Sequence, residues 1–244
     1  MDTTLLQDLQ NTTDPAEKAA LIAEVTLSNL PPAVALAARR GLVLHWFNQD
    51  IVSALLPGSS REHEPAAVYQ RLAGLSFMEA TPYGLAYHDL TRAGLLKRLS
   101  RTHPDLLKEA AALAAPVYAG YEDKTAALEG LYCYTLAGAT AEALELLETL
   151  LFWAGARADW PALLKIFEIR DEAERYEFAT PLPRAALHYF AAGLARQSLQ
   201  QYQAALADYG RAVELNPDYA AAYYNTACAY ALQSRVEAAL PPLR

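Results

Sequence analysis

Five histidines, two cysteines and 28 Asp/Glu side chains are the groups of this 244-residue chain that could act as nucleophiles, bases or metal ligands. Cys133 and Cys228 lie far apart in alanine-rich helical patterns and read as reduced thiols packed as small hydrophobes, the usage of a cytoplasmic protein. No Cys/His spacing suits zinc, and no Ser/His/Asp set has motif support. There is no G-x-x-x-x-G-K-[ST] phosphate loop and no apolar strand ending in an acidic pair suited to Mg²⁺. Catalytic residues and metal ligands are therefore expected to be absent, and the chain is not expected to be an enzyme by itself. One histidine has a context: His88, in Tyr87-His88-Asp89-Leu90, follows directly on a predicted β-hairpin. His45, His63, His103 and His188 have no such surroundings and read as structural or surface residues.

The composition bounds what can position these groups. Apolar residues make up 53% of the chain and the formal net charge is −8, a balance that excludes wholesale disorder. The length suits one large or two modest domains. No stretch approaches the roughly 20 apolar residues of a membrane helix, and the N-terminus lacks a basic region leading into an apolar run. Between Pro31 and Ala115 nine Lys/Arg face seven Asp/Glu, so this stretch is +2 and the remainder −10. An acidic second half argues against nucleic acid there, because phosphate contacts need clustered cations. A first domain break is expected near residue 115.

The pattern between residues 31 and 103 predicts three helices (Pro31–Phe47, Gln49–Leu56, Pro65–Leu75), a hairpin over Phe77–Tyr87 turning at Pro82-Tyr83-Gly84, and a helix over Leu90–Arg101. This is the winged-helix order. A DNA-reading winged helix needs basic or amide side chains along its third helix. Glu64–Gly74 offers only Gln70 and Arg71, so DNA binding is disfavoured. Lys97, Arg98 and Arg101 read as the solvated face of an amphipathic helix.

Further along, the chain repeats itself. Ala186–Tyr219 and Ala220–Arg244 align at an offset of 34, with Tyr189 on Tyr223, Ala192 on Thr226, Gly193 on Ala227 and Ala205 on Ala239. Gly193, Tyr202, Ala205, Tyr209, Ala212 and Pro217 stand at the signature positions of the first copy, and the segment resembles the tetratricopeptide repeat (TPR). Gly193 and Ala205 are small where paired helices cross, and Pro217 stops the second helix. Arg196 stands where an aromatic is usual and Gln200 replaces the turn glycine. An older copy is expected over Lys124–Arg157, carried by Tyr134, Gly138, Ala143 and Leu144, followed by a helix over Trp160–Tyr176 and a loop over Glu177–Arg184. The resemblance implies an inner face built from Leu187, Phe190, Leu194 and Gln197, then Ala221, Tyr224, Cys228 and Ala231, with Asn225 beside them. Asn225 matches one position of the carboxylate clamp found in chaperone-tail-binding arrays, but no basic partner accompanies it, so that function is discounted. The final copy stops short of a full repeat at Arg244, and the array is expected to continue in a longer parent protein.

The segment TLSNLPPAVALAARRGLVLHWFNQDIVSALLP looks like the join between the lid and winged-helix domains of signal-transduction ATPases with numerous domains, the STAND class that includes NB-ARC and NLR-type switches. The Tyr-His-Asp run at 87–89 stands where that family has a Met-His-Asp-like motif. The resemblance implies that His88 reaches the β-phosphate of bound ADP, that Asp89 steadies the end of the wing, and that ADP/ATP and Mg²⁺ belong to the parent protein and not to this piece.

The leading expectation is a mainly α chain: residues 1–30 as the end of a lid region, 31–115 as a winged helix, and 116–244 as an α-solenoid of TPR helix pairs. Residues 186–219 and 220–244 would be its clear copies. It would serve a STAND switch as an autoinhibitory and sensing fragment, with the ATPase core of the same chain and an unknown inducer as partners. It would be cytoplasmic, monomeric by itself and free of membrane contact. Two alternatives stand beside it: a DNA-binding regulator with a TPR sensor, and a plain TPR protein-interaction scaffold.

Overall fold

The computed structural model describes residues 11–56 and 64–233. His63, Ala239, residues 1–10 of the expected lid region and residues 234–244 of the last repeat lie outside the described residues. Among the described residues the fold is mainly α, with twelve helices and one two-stranded hairpin. The chain divides into two compact units. One runs to Thr140 and takes in Ala173–Thr180; the other comprises Ala141–Glu172 and the chain from Pro181.

In the first unit, α1 (Pro15–Ser28) starts at Asp14, whose carboxylate accepts from the Ala16 N–H at 2.9 Å, with Pro15 in the first turn. Then come α2 (Pro32–Gly41), α3 (Gln49–Leu55), α4 (Pro65–Ala73), β1 (Met78–Thr81), β2 (Gly84–Tyr87) and α5 (Asp89–Thr102). The helix, hairpin and helix order expected over 31–103 is present. The strands pair antiparallel with Thr81 opposite Gly84, leaving Pro82 and Tyr83 as a two-residue turn.

One expected boundary is wrong. The helix predicted to run from Pro31 to Phe47 stops at Gly41. The stop has a tertiary cause: Phe47 bridges Leu85 of the hairpin, with both N–H···O bonds at 2.8 Å. Arg92 of α5 takes the carbonyls of Val43 and Leu44, each at 3.2 Å. Gly84 makes the bridge possible, since its φ is +148° and a Cβ there would lie 2.4 Å from the Phe47 carbonyl oxygen. Phe47, Ile51, Leu55, Leu72 and Tyr87 form the buried heart of this region. The Tyr87 ring stacks on Phe77 and its hydroxyl donates to the Ala38 carbonyl at 2.6 Å.

Two further helices complete the unit, α6 (Pro104–Ala119) and α7 (Lys124–Ala137). The break expected near residue 115 falls inside α6. Asp123 caps α7 through the N–H groups of Thr125 and Ala126, and Gly138 ends it at φ +74°. Helix α7 packs against α6, where Ala110, Ala111, Ala114 and Ala115 are fully buried. The two helices of the older repeat expected over Lys124–Arg157 are assigned to different units. Its first helix pairs with the preceding helix in this unit, while its second belongs to the other unit.

The second unit holds α8 (Thr140–Ala156), α9 (Trp160–Ala173), α10 (Ala186–Ser198), α11 (Tyr202–Leu215) and α12 (Ala220–Leu232). Helices α10, α11 and α12 pack in succession, as the repeat predicts. Tyr209 is fully buried with Ala205 and Ala229, and Phe190 and Leu206 lie against them. The close crossing expected at Gly193 is there: a Cβ would sit 2.4 Å from the Tyr209 ring. Gln200, in place of the turn glycine, adopts φ +61°. Its side chain does not change the turn, which still demands the left-handed conformation.

Candidate functional site

The repeat helices carry one candidate surface. Of the residues expected on the inner face, Leu187 is 55% exposed and Tyr224 61% exposed, and Ala231 is exposed beside Leu232. Leu194, Ala221 and Cys228 are half-buried. The other predicted residues are occupied within the fold. The Phe190 ring lies 5.9 Å from that of Tyr209 and 5.0 Å from that of Tyr219, closing the core. Gln197 accepts the Tyr209 hydroxyl at 3.0 Å, and the Asn225 amide donates to the Ala221 carbonyl of its own helix at 2.9 Å. Leu187 and Tyr224 are thus the large apolar side chains among these predicted positions that remain exposed.

His88 and Asp89 sit elsewhere, at the junction of β2 and α5. His88 is the residue before the helix, half-exposed, with its backbone N–H held by the Phe77 carbonyl at 3.0 Å. Its Nδ1 lies 3.6 Å from Glu79 on the opposite strand. Asp89 is the first residue of α5 and is exposed, so it complements the positive end of the helix dipole from within the first turn. The hairpin register brings His88 to Glu79, a neighbour that the linear sequence does not reveal.

A second cluster is not marked in the linear sequence, where His188 reads as structural. A cleft of about 80 Å³ in the second unit is lined by Phe167, Arg170, Asp171, Arg184, His188, Tyr189, Ala192, Arg196 and Asp208. Helix α9 supplies the buried Arg170, whose Nε and Nη2 both donate to Asp171 Oδ1, at 3.0 and 2.7 Å. Its guanidinium also lies over the Phe167 ring, 4.9 Å from the centroid. Arg184, from the connecting loop, donates to the same oxygen at 3.2 Å. On the opposite wall Arg196 of α10 donates to Asp208 of α11. This pair explains the departure at Arg196 from the aromatic usual there. Burial pushes the Asp208 carboxyl above the usual carboxylate range, and Arg196 partly offsets it. Burial lowers the His188 pKa, and Arg170 lowers it further while Glu148 acts in the opposite sense. Its Nδ1 is the acceptor for the Ala185 N–H at 3.4 Å. The linear sequence does not show this cluster, because its residues come from α9, α10, α11 and the loop between α9 and α10.

Two negative findings bound the chemistry among the described residues. No group of three or more His, Cys, Asp or Glu could hold a metal ion. No helix is long and apolar enough to cross a membrane.

Comparison with known proteins bears on the repeat region. Residues 193–234 match the family model described as TPR repeat, so the end of the second unit is a TPR region. No curated protein matches the chain. A solved structure of MamA AMB-1 is 25% identical over 60% of this chain and 92% of its own, with a TM-score of 0.27. At that TM-score the likeness says nothing about this chain's architecture or activity.

Proposed function

We propose that this chain is a protein-interaction scaffold that works by binding, with helices α10–α12 as its docking face and no catalysis of its own. The supporting observation is the exposure of Leu187 and Tyr224, at positions that the repeat resemblance assigns to the partner-binding face. Two large apolar side chains held on neighbouring helices suit an extended or helical segment of another protein. The partner is thus a protein, and an aromatic anchor such as Tyr224 is the residue type that concentrates binding energy. The test is a Leu187→Glu/Tyr224→Glu double variant. Both side chains are exposed, so its circular dichroism and melting temperature should match wild type while partners recovered with the tagged wild-type chain are lost. Equal recovery of those partners by the double variant refutes the reading.

A second reading is the regulatory part of a STAND-class switch, favoured by the helix and hairpin order over 32–102 and by the half-exposed His88 at the end of the hairpin. There the first unit would be a winged helix that holds an ADP-bound core, with nucleotide and Mg²⁺ supplied by that core. His88→Ala in a longer parent protein should then speed ADP release and raise basal activity. Unchanged ADP retention counts against it. The DNA-binding alternative predicts a salt-dependent electrophoretic shift with duplex DNA, and no shift at low salt rejects it.

A further inference from the structure

We propose that the outer face of α8, centred on Phe152, docks an arginine-bearing helical segment of a partner protein. The face is on a different helix from Leu187 and Tyr224, and the proposal does not depend on the role given to those two.

Helical spacing decides which residues share this face. Ala143, Leu147, Leu150 and Ala154 are the buried residues of α8. At about 100° per residue they form one stripe, and Glu145, Glu148 and Phe152 fall roughly opposite it. All three are exposed, and Phe152 keeps 79% of its surface open. Its ring therefore takes no part in the core that the other side of its helix helps to build. The exposed residues Ala141 and Ala156 continue the face at either end, so it runs for about four turns. Gly155 has nothing within 4 Å of where a Cβ would stand, which leaves the ground beside the ring open to a close approach.

The aromatic ring lacks the partner that its neighbours have. In the same unit Arg157 lies over the Trp153 ring, 4.7 Å from its centroid, and Arg170 lies over Phe167 at 4.9 Å. Phe152 has neither a ring nor a cation against it among the described residues.

Charge then selects the occupant. Helix α8 carries Glu142, Glu145 and Glu148 and no Lys or Arg. Glu145 and Glu148 form no ion pair among the described residues, and Glu148 acts on His188 through its field alone. Glu148 follows Glu145 by three positions and precedes Phe152 by four, spacings at which helix side chains are neighbours. A guanidinium stacks its flat face on such a ring while its N–H fork reaches the carboxylates beside it. A purely apolar partner would desolvate both carboxylates without giving them donors, and an acidic partner would be repelled. A helix laid along the face can repeat Arg and Leu at the same spacing. The chain outside residues 31–115 carries −10, a field that draws basic partners and speeds their encounter.

The experiment uses the full chain and fluorescein-labelled synthetic helical peptides of about 17 residues, the length of α8. One peptide repeats Leu and Arg at i, i+3 and i+4, and a matched peptide has Gln in place of Arg. Fluorescence anisotropy should show saturable binding of the arginine peptide that weakens as salt is raised. Affinity should fall about tenfold in Phe152→Gln and again in Glu145→Gln/Glu148→Gln, with melting temperatures equal to wild type because all three side chains are exposed. Leu187→Glu/Tyr224→Glu should bind the peptide at least as tightly as wild type; a loss confined to that variant assigns the peptide to α10 and α12 and overturns the proposal. Glu122→Gln/Glu177→Gln removes the same charge from exposed positions elsewhere and should leave the affinity within about twofold. A loss there as large as in Glu145→Gln/Glu148→Gln shows unspecific attraction and overturns the proposal. Two more results do the same: equal binding of the Gln peptide, which makes the face a plain apolar dock, and self-association in sedimentation that Phe152→Gln abolishes, which gives the face to a second copy.

Discussion

Replacing Gly193 by alanine puts a methyl group where the Tyr209 ring already lies. The new Cβ would stand 2.4, 2.6 and 3.1 Å from ring atoms Cε1, Cδ1 and Cζ. Carbon atoms rest at about 3.5–4.0 Å, so the ring must move by roughly 1 Å. It has nowhere to go: Tyr209 is fully buried with Ala205 and Ala229, Phe190 flanks it, and its hydroxyl is tied to Gln197 at 3.0 Å. Overpacking of this kind costs about 1–3 kcal/mol, and the crowding here belongs at the top of that range. Alanine returns about 1 kcal/mol through helix propensity, leaving a net loss of about 2 kcal/mol. In thermal unfolding followed by far-UV circular dichroism this corresponds to roughly 4–8 °C. Gly210, in α11 with nothing within 4 Å of its would-be Cβ, is the control. Gly210→Ala should stabilise by up to about 1 kcal/mol. In a Tyr209→Leu background the clash is gone, and Gly193→Ala should become neutral or stabilising. If Gly193→Ala raises the melting temperature in the wild-type background as Gly210→Ala does, the close-crossing argument fails.

Three further outcomes follow from single positions. Gln200→Gly relieves a side chain held at φ +61° and should stabilise by about 1 kcal/mol in urea unfolding; a loss would show that the Gln200 side chain supports the turn. Gly94→Ala would bring a Cβ to 2.1 Å from the Ala16 carbonyl oxygen where α5 crosses α1, and a backbone atom cannot step aside as a side chain can. Its cost should reach about 3 kcal/mol, and melting within 1 °C of wild type would contradict that crossing. His188 titrates below its ordinary value because burial and Arg170 disfavour the charged form, so its contribution to stability is complete above about pH 6.5 and is lost as the pH falls below it. The melting temperature of wild type relative to His188→Gln should therefore drop between pH 7 and pH 5. Asp208, raised by burial, has the opposite dependence and cancels in that difference. A flat difference would show that His188 is not held neutral.

Much of the local structure was legible in the residues. Pro82-Tyr83-Gly84 marks the hairpin turn. The repeat spacing places α10, α11 and α12, because the small residues at 193 and 205 and the large one at 209 have meaning only at a helix crossing. The inner face was legible only in outline. Leu187 and Tyr224 are exposed, whereas Gln197 and Asn225 spend their polar groups inside the fold. Side-chain direction on a helix follows from periodicity, but a hydrogen-bond partner one helix away does not.

By itself, then, the sequence determined the helical content and the hairpin, which rest on interactions between residues a few positions apart, and the TPR region, whose repeat spacing carries the helix crossing with it. The tertiary structure alone decided three things. It ended α2 at Gly41 by offering Phe47 a strand partner and Arg92 two free carbonyls. It packed α7 on α6. It also gathered Arg170, Arg184 and Arg196 around His188. The physical reason is common to all three: each depends on groups far apart along the chain, and their meeting is fixed by how helices pack and not by the spacing within any one of them.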